Sequence, residues 1–289
     1  MKSLKRDFSI FCRQSDLWKE VYAFLCFCLF VCGGLFSVCG WGLLMFFGFH
    51  FSFIIVIQNK RPKVHAVGKD AFSVYSTKYF FEVLHRLSVD QKSIIEKFGF
   101  GCLLCLSKTY LPSSFVRWLV SCVDTVCSEI IAGDKILHFS KDVFHYVLGL
   151  PNSGYHLVEN SAGGLKFVMS LFNLTEPPHI TFFGNKLNSK EPLTDKEVFV
   201  CFMQVAVSCF LCPSICDSVD TKYIEQLGYP ERARRFDICS LVHSHLMHGV
   251  SKAVNYIKAK GRKPKFFELC SYVLAVSVLF SLFFLQRVM

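Results

Sequence analysis

From Val21 to Asn59 the chain carries no Asp, Glu, Lys or Arg, an unbroken run of 39 residues. Water is a poor host for such a stretch, and its length limits the alternatives. A helix needs roughly 20 residues to cross the hydrocarbon core of a bilayer. The run is therefore too long for one upright span and long enough for two short ones with a turn. Val21–Val38 holds ten Leu, Ile, Phe or Val residues, and Trp41–Ile57 holds eleven. At about −0.3 to −0.6 kcal/mol for each such residue at a helix centre, either half gains roughly 3 to 6 kcal/mol on insertion. Gly33, Gly34, Gly40, Gly42 and His50 reduce that gain without reversing it.

Flanking charge bears on orientation. Lys2, Lys5, Arg6, Arg13 and Lys19 precede the run, and Lys60, Arg61, Lys63 and Lys69 follow it. Positive charge on both sides suits a hairpin with both ends cytoplasmic, turning near Cys39-Gly40; a single tilted span is the competing arrangement. A cleaved signal peptide fits poorly, because its apolar core seldom exceeds about 15 residues. The expected organisation is a basic tail at 1–20, a membrane segment at 21–58, a basic linker at 59–69 and a helical domain at 70–289. A second uncharged stretch, Leu269–Leu285, has a length compatible with either a core helix or a span.

Composition agrees with a membrane segment joined to a globular body. Hydrophobic residues make up 52% of the chain and mean hydropathy is +0.39, with the excess concentrated in the charge-free run. Formal charge is +10, which fits nucleic acid, anionic lipid or simple solubility. Fifteen cysteines is an odd count in a long chain, and five of them (Cys12, Cys26, Cys28, Cys32, Cys39) lie in or near the apolar run. Free thiols in a reducing compartment account for them better than a disulfide scaffold.

Beyond about Asp70 the punctuation is that of short helices. Ser88-Val-Asp-Gln91 is a capping-box pattern, predicting a helix to Phe98 that stops at Gly99. After Pro112, the residues Phe115, Leu119, Cys122 and Val126 recur at helical spacing. Ile136–Phe139 is short and β-like, and Ser140 is placed to cap Lys141–Leu148, closed by Gly149 and Pro151. Gly, Asn, Ser and Pro clusters make 152–192 loop-rich, interrupted by an apolar piece around Leu165–Leu174. Thr194-Asp-Lys-Glu197 is a second capping box, opening an apolar helix to Leu211 that ends at Cys212-Pro213. Glu231–Lys260 reads as one long amphipathic helix, stopped by Gly261 and Pro264. The fold class is mainly α, a helical globular domain with at most a short strand pair, preceded by a transmembrane helix or helical hairpin.

The ordered segments STKYFFEVLHRLSVDQKSIIEKFGFGCLLCL, LPSSFVRWLV, ILHFSKDVFHYVLGLPNSG, SCFLCPS and FDICSLVHSHLMHGVSKAV resemble a group of plant transposon-associated proteins. These are usually labelled plant mobile domain or aminotransferase-like. The likeness covers roughly residues 70 to 280, and its strongest pieces are DVFHYVLGLPNSG and FLCPS. In many members a similar region precedes a SUMO-type cysteine protease domain. This chain ends before such a domain could begin, so the resemblance implies neither a peptidase nor its His, Asp and Cys. The aminotransferase-like label implies no cofactor. Residues 1–60 have no counterpart in the resemblance.

Chemistries can be weighed from residue types. A cysteine protease needs a thiol activated by His with an orienting acid, and no nucleophile context of that kind occurs. Cys209, Cys212, Cys216, Cys239, His243, His245 and His248 are ligand types that zinc prefers, and Cys102-x-x-Cys105 is a further pair. All of these lie on apolar faces or amphipathic helices, where buried cysteines act as small hydrophobes. Neither GxxxxGK[ST] nor a strand followed by GxGxxG is present. Lys252, Lys258, Lys260, Arg262, Lys263 and Lys265 form one basic cluster and Arg232, Arg234 and Arg235 another. Such clusters suit phosphate contacts, a membrane-proximal cytoplasmic face or a solvated surface.

The sequence thus assigns no catalytic residue, no cofactor and no metal site. It points to a non-enzymatic interaction protein, anchored in membrane lipid through 21–58 and derived from a plant mobile element, with no small-molecule substrate. The alternatives are a nuclear nucleic-acid-associated protein and a fragment of a SUMO-type protease polyprotein.

Overall fold

In the computed structural model, residues 77–106, 113–132, 135–189, 191–213, 219–258 and 273 are described. All of them belong to the second of the chain's two units, Val67–Met289. The expected tail, membrane segment and linker lie outside the described residues, as do Cys216, the basic positions from Lys260 to Lys265, and all of 269–285 except the buried Val273. Among the described residues no helix is long and apolar enough to cross a membrane.

The body is mainly helical, with one small antiparallel sheet. Two helices open it, α1 (Lys78–Arg86) and α2 (Val89–Lys97), followed by a 3-10 turn at Gly101–Cys105. Ser88 caps α2 as its spacing predicts: its Oγ accepts from the Gln91 amide, and the Gln91 side chain accepts from the Ser88 amide. After α3 (Ser113–Cys122) come β1 (Val123–Asp124), β2 (Glu129–Ala132) and β3 (Lys135–His138). Next are α4 (Asp142–Leu148), α5 (Ser161–Phe172), α6 (Ile180–Asn188) and α7 (Asp195–Ala206), the last running into a π-turn at Val207–Leu211. Short helices α8 (Ile224–Leu227) and α9 (Pro230–Ala233) lead to the long α10 (Ile238–Lys258).

The core is built around α7. Every residue from Val198 to Ala206 is buried, so this helix is enclosed on all sides rather than along one stripe. It contacts α2, α6, α8 and α9. Thr194 and Glu197 close the capping box that starts it. Gln204 is the one polar residue in the enclosed stretch, and its Nε2 donates to Ser208 Oγ (2.8 Å) and to the Asp220 carbonyl (2.7 Å). Phenylalanines fill the space around it. Phe98 and Phe100 meet Phe199 at 5.3 and 5.5 Å, and Phe80 stacks on Phe210 at 4.5 Å. Phe210 belongs to the π-turn, whose wider winding carries the chain to Pro213.

Three expectations need correction. The sheet has three strands, not a pair. β2 and β3 pair Ile130 with Leu137 on the buried face and Ile131 with Ile136 on the exposed face, the period-2 alternation of a half-buried hairpin. β1 joins them because α3 stops at Cys122: the Asp124 carboxylate accepts from the Val126 and Cys127 amides (2.8 and 3.2 Å) and turns the chain. Val126, expected on the apolar helix face, is instead 92% exposed on that turn.

The stretch 152–192 contains two helices, α5 and α6. Asn160 caps α5 through the Gly163 amide, and His179 caps α6 through the Thr181 amide. The Gly163-Gly164 pair sits in the first turn of α5. A Cβ on Gly164 would lie 1.8 Å from the Thr221 carbonyl, so the glycine serves helix packing rather than chain reversal.

The expected single helix from Glu231 to Lys260 is divided at Arg234–Phe236 into α9 and α10. The reason is the junction considered next.

Candidate functional site

Residues 139–155 and 235–243 are far apart in the chain and meet in the fold. Tyr155 and Phe236 form an isolated parallel bridge: the Tyr155 amide donates to the Arg235 carbonyl (2.8 Å), and the Asp237 amide donates to the Tyr155 carbonyl (2.9 Å). Gly154 makes that approach feasible. Its φ is +120°, and a Cβ there would lie 2.0 Å from the Arg235 carbonyl oxygen. Below the bridge, the Cys239 amide donates to the Pro151 carbonyl (3.0 Å) and its thiol to the Leu150 carbonyl (3.3 Å).

Asp237 is the polar centre of the junction. Its side chain is 3% exposed and is paired with Lys141, which is 37% exposed. Its carboxylate also caps α10, accepting from the Ser240 amide (2.9 Å) and hydroxyl (2.8 Å). Burial opposes its charge, but the Lys141 ammonium and the two Ser240 donors outweigh burial and hold the carboxyl below its usual range. Ser140 is not the cap that was expected: α4 starts one residue later, at Asp142, with Lys141 at the cap position, and Ser140 Oγ accepts from the Asp142 amide (3.3 Å) from outside the helix. Asn152 reaches the Asp142 carboxylate (3.3 Å), and His145 Nδ1 contacts the Leu150 carbonyl (2.7 Å). Gly149, left-handed at φ +65°, ends α4 as predicted.

His243 closes the apolar side. Its ring lies 6.0 and 5.9 Å from those of Phe139 and Phe144, and its Nε2 contacts the Phe139 carbonyl (3.0 Å). Burial holds the imidazole below its usual value, opposed by that carbonyl and reinforced by His138.

The weighed zinc ligands do not converge: among the described residues no group of three His, Cys, Asp or Glu side chains is arranged to hold a metal ion. His245 contacts the Pro213 carbonyl (3.0 Å), His248 is exposed, and Cys212 is buried. Burial pushes the Cys209 thiol up to about 12. Burial and the Asp237 charge do the same to Cys239, against Lys141. Thiols raised as far as these two stay protonated at neutral pH and are poor nucleophiles. Cys105 departs from expectation, being exposed rather than buried, and Cys102 is half-buried.

Arg232, Arg234 and Arg235 are exposed, and none pairs with a carboxylate among the described residues. Arg232 lies over the Tyr229 ring at 5.8 Å.

The model of one family, described as a domain of unknown function (DUF8566), matches residues 74–275. The chain belongs to that family. No curated protein and no solved structure matches the chain. The DUF8566 match contains both halves of the junction and the whole of α7.

Lys141 and Asp237 were not singled out by sequence reasoning. The only local signal was Asp237-x-x-Ser240, an N-cap spacing, and nothing local joins it to a lysine 96 residues earlier.

Removing one partner of a buried pair is costly because the other charge is left uncompensated. Lys141→Met strands the buried carboxylate and should destabilise by about 3 kcal/mol. Asp237→Asn keeps a capping oxygen and releases a lysine into water, costing about 1 kcal/mol. Urea denaturation of the full chain measures both, and equal costs would contradict the assigned roles.

The same residues set an acid response. The His243 value is lowered in the folded state, so the unfolded chain takes up that proton first. Its contribution is complete above about pH 6.5 and is lost as pH falls toward the folded value. The Asp237 value is also lowered, so its contribution is present above about pH 4 and lost as pH falls further. Midpoints recorded against pH should therefore decline in two stages, and His243→Gln should remove the first.

Proposed function

We propose that this chain is a non-enzymatic interaction protein of plant mobile-element descent, anchored in a membrane through residues 21–58. The observation that carries the non-enzymatic part is how the polar groups of the junction are used. Asp237, Lys141, Cys239 and His243 each serve a cap, an ion pair or a backbone carbonyl. A general base or nucleophile needs a group within reach of a substrate and poised near neutral pH. Here the carboxyl is held low and the buried thiols are held high.

The descent rests on the order of the resembling segments, and the anchoring rests on the charge-free run. Together they describe a helical body held at a bilayer surface, where its partner is a protein.

Carbonate extraction tests the anchoring. Full-length chain should stay in the membrane pellet, and a variant carrying Phe30→Arg and Phe47→Arg should be released, since each arginine near a span centre costs about 3 kcal/mol. Release of the unaltered chain would end this reading.

One observation favours a second reading, association with nucleic acid. Arg232, Arg234 and Arg235 crowd one exposed turn beside Tyr229 without acidic partners among the described residues, as phosphate-binding and base-stacking surfaces require. On this reading the affinity for single-stranded nucleic acid falls steeply with salt, and alanine at all three positions removes most of the slope. A salt-independent isotherm would eliminate it.

A further inference from the structure

Cys102 and Cys105 open and close the apolar centre of the 3-10 turn Gly101–Cys105. In a 3-10 helix, residues three apart eclipse one another, and a rise of about 2.0 Å per residue separates their Cα atoms by roughly 6 Å along the axis. Disulfides span Cα distances of about 4.4 to 6.8 Å with Cβ atoms roughly 4 Å apart, so the regular geometry of such a turn sets the two Cα atoms within that span, and a small tightening of the turn brings the Cβ atoms together. The same spacing on an extended strand would not do so.

Their surroundings differ in a useful way. Cys105 is exposed, whereas Cys102 is half-buried with its sulfur against Gly149, where a Cβ would lie 2.4 Å from Sγ. Each thiol is raised, chiefly by burial, so the attacking thiolate is a small fraction at neutral pH and exchange quickens as pH rises; the neighbouring Cys102 and Glu96 add to the shift for Cys105, and Arg234 acts against it for Cys102. The pair therefore has an accessible sulfur, a second sulfur close enough to feel it, and a cation beside the inner one. Cys105 also points its thiol at the Gly101 carbonyl, 3.7 Å away, a weak contact that exchange chemistry can displace.

We propose that Cys102 and Cys105 form a dithiol that a small-molecule disulfide of the glutathione class converts reversibly into an intramolecular disulfide. The Cys105 thiolate attacks one sulfur of the reagent; its S–S bond breaks, a Cys105 mixed disulfide forms, and one small thiol leaves with the proton that Cys105 lost. The Cys102 thiolate then attacks Cys105 Sγ, forming the internal S–S bond and expelling the second small thiol. Two protein thiols are oxidised and one small disulfide is reduced to two thiols. Excess small thiol reverses both steps. The site is independent of the anchoring and the nucleic-acid readings.

The test uses the full-length chain in detergent, oxidised glutathione as the reagent, and peptide mass spectrometry after alkylation of remaining thiols. Cleavage after Lys97 and Lys108 isolates a peptide whose only cysteines are Cys102 and Cys105. In the unaltered protein that peptide should lose two hydrogens, resist alkylation, and regain both thiols on addition of dithiothreitol. Cys127 is exposed and has no cysteine three residues away, so it should stop at the glutathione adduct. Cys102→Ser should trap the adduct on Cys105, and Cys105→Ser should leave Cys102 largely unreacted. Circular dichroism confirms that the variants keep their helix content. A stable glutathione adduct on Cys105 of the unaltered chain, or a peptide that stays fully reduced while Cys127 reacts, would overturn the proposal.

Discussion

Enclosure of α7 is the constraint on which the rest of the body depends. A helix buried on every side must be walled by several others, and α2, α6, α8 and α9 provide the walls. Full enclosure also leaves no water for a stray polar group, so Gln204 has to find its partners inside the protein. It finds Ser208 on the π-turn and the Asp220 carbonyl. Those two bonds tie the end of the central helix to the segment leading into α8. The neighbouring Thr221 carbonyl then passes so close to α5 that only Gly164 fits beneath it. One buried amide thus propagates into the placement of a helix that holds no residue of α7.

The junction between 139–155 and 235–243 is organised differently, by charge rather than apolar area. Asp237 is nearly sealed from solvent yet ionised, which requires donors on several sides. Lys141 and Ser240 supply them, and in doing so they fix the start of α10 against the start of α4. The backbone bridge at Tyr155 and Phe236 and the carbonyl contacts of Cys239 and His243 complete a seam in which chemically versatile side chains are committed to structure. Among the residues that stay exposed around the seam are Tyr146 and Tyr155, Arg234 and Arg235 after α9, and Cys105 on its turn.

Local features were legible in advance because their causes lie within a few residues. Both capping boxes, at Ser88 and Thr194, need only a hydroxyl and a Gln or Glu three positions on, and both formed. The stop at Gly149 needed only a left-handed residue. The errors fell where a distant partner decided the outcome. Gly164 gave no local sign of its role because the Thr221 carbonyl that demands its small size is remote in sequence. The long amphipathic pattern from Glu231 looked continuous because helical periodicity survives the bend at Arg234–Phe236, whose cause is a strand-like contact with Tyr155. Cys105 looked buried because its neighbours are leucines, and periodicity could not say that the turn would be 3-10.

By itself the sequence determined the mainly helical class, the starts of α2 and α7, the stop of α4, and an uncharged run too apolar to favour water, since propensity, capping and transfer free energy act through near neighbours. Only the tertiary structure decided which helix is central, which glycines serve contact rather than turning, and that Lys141 meets Asp237. Those outcomes depend on which surfaces bury one another, and a carboxylate's environment is a property of everything packed around it, not of the residues beside it in the chain.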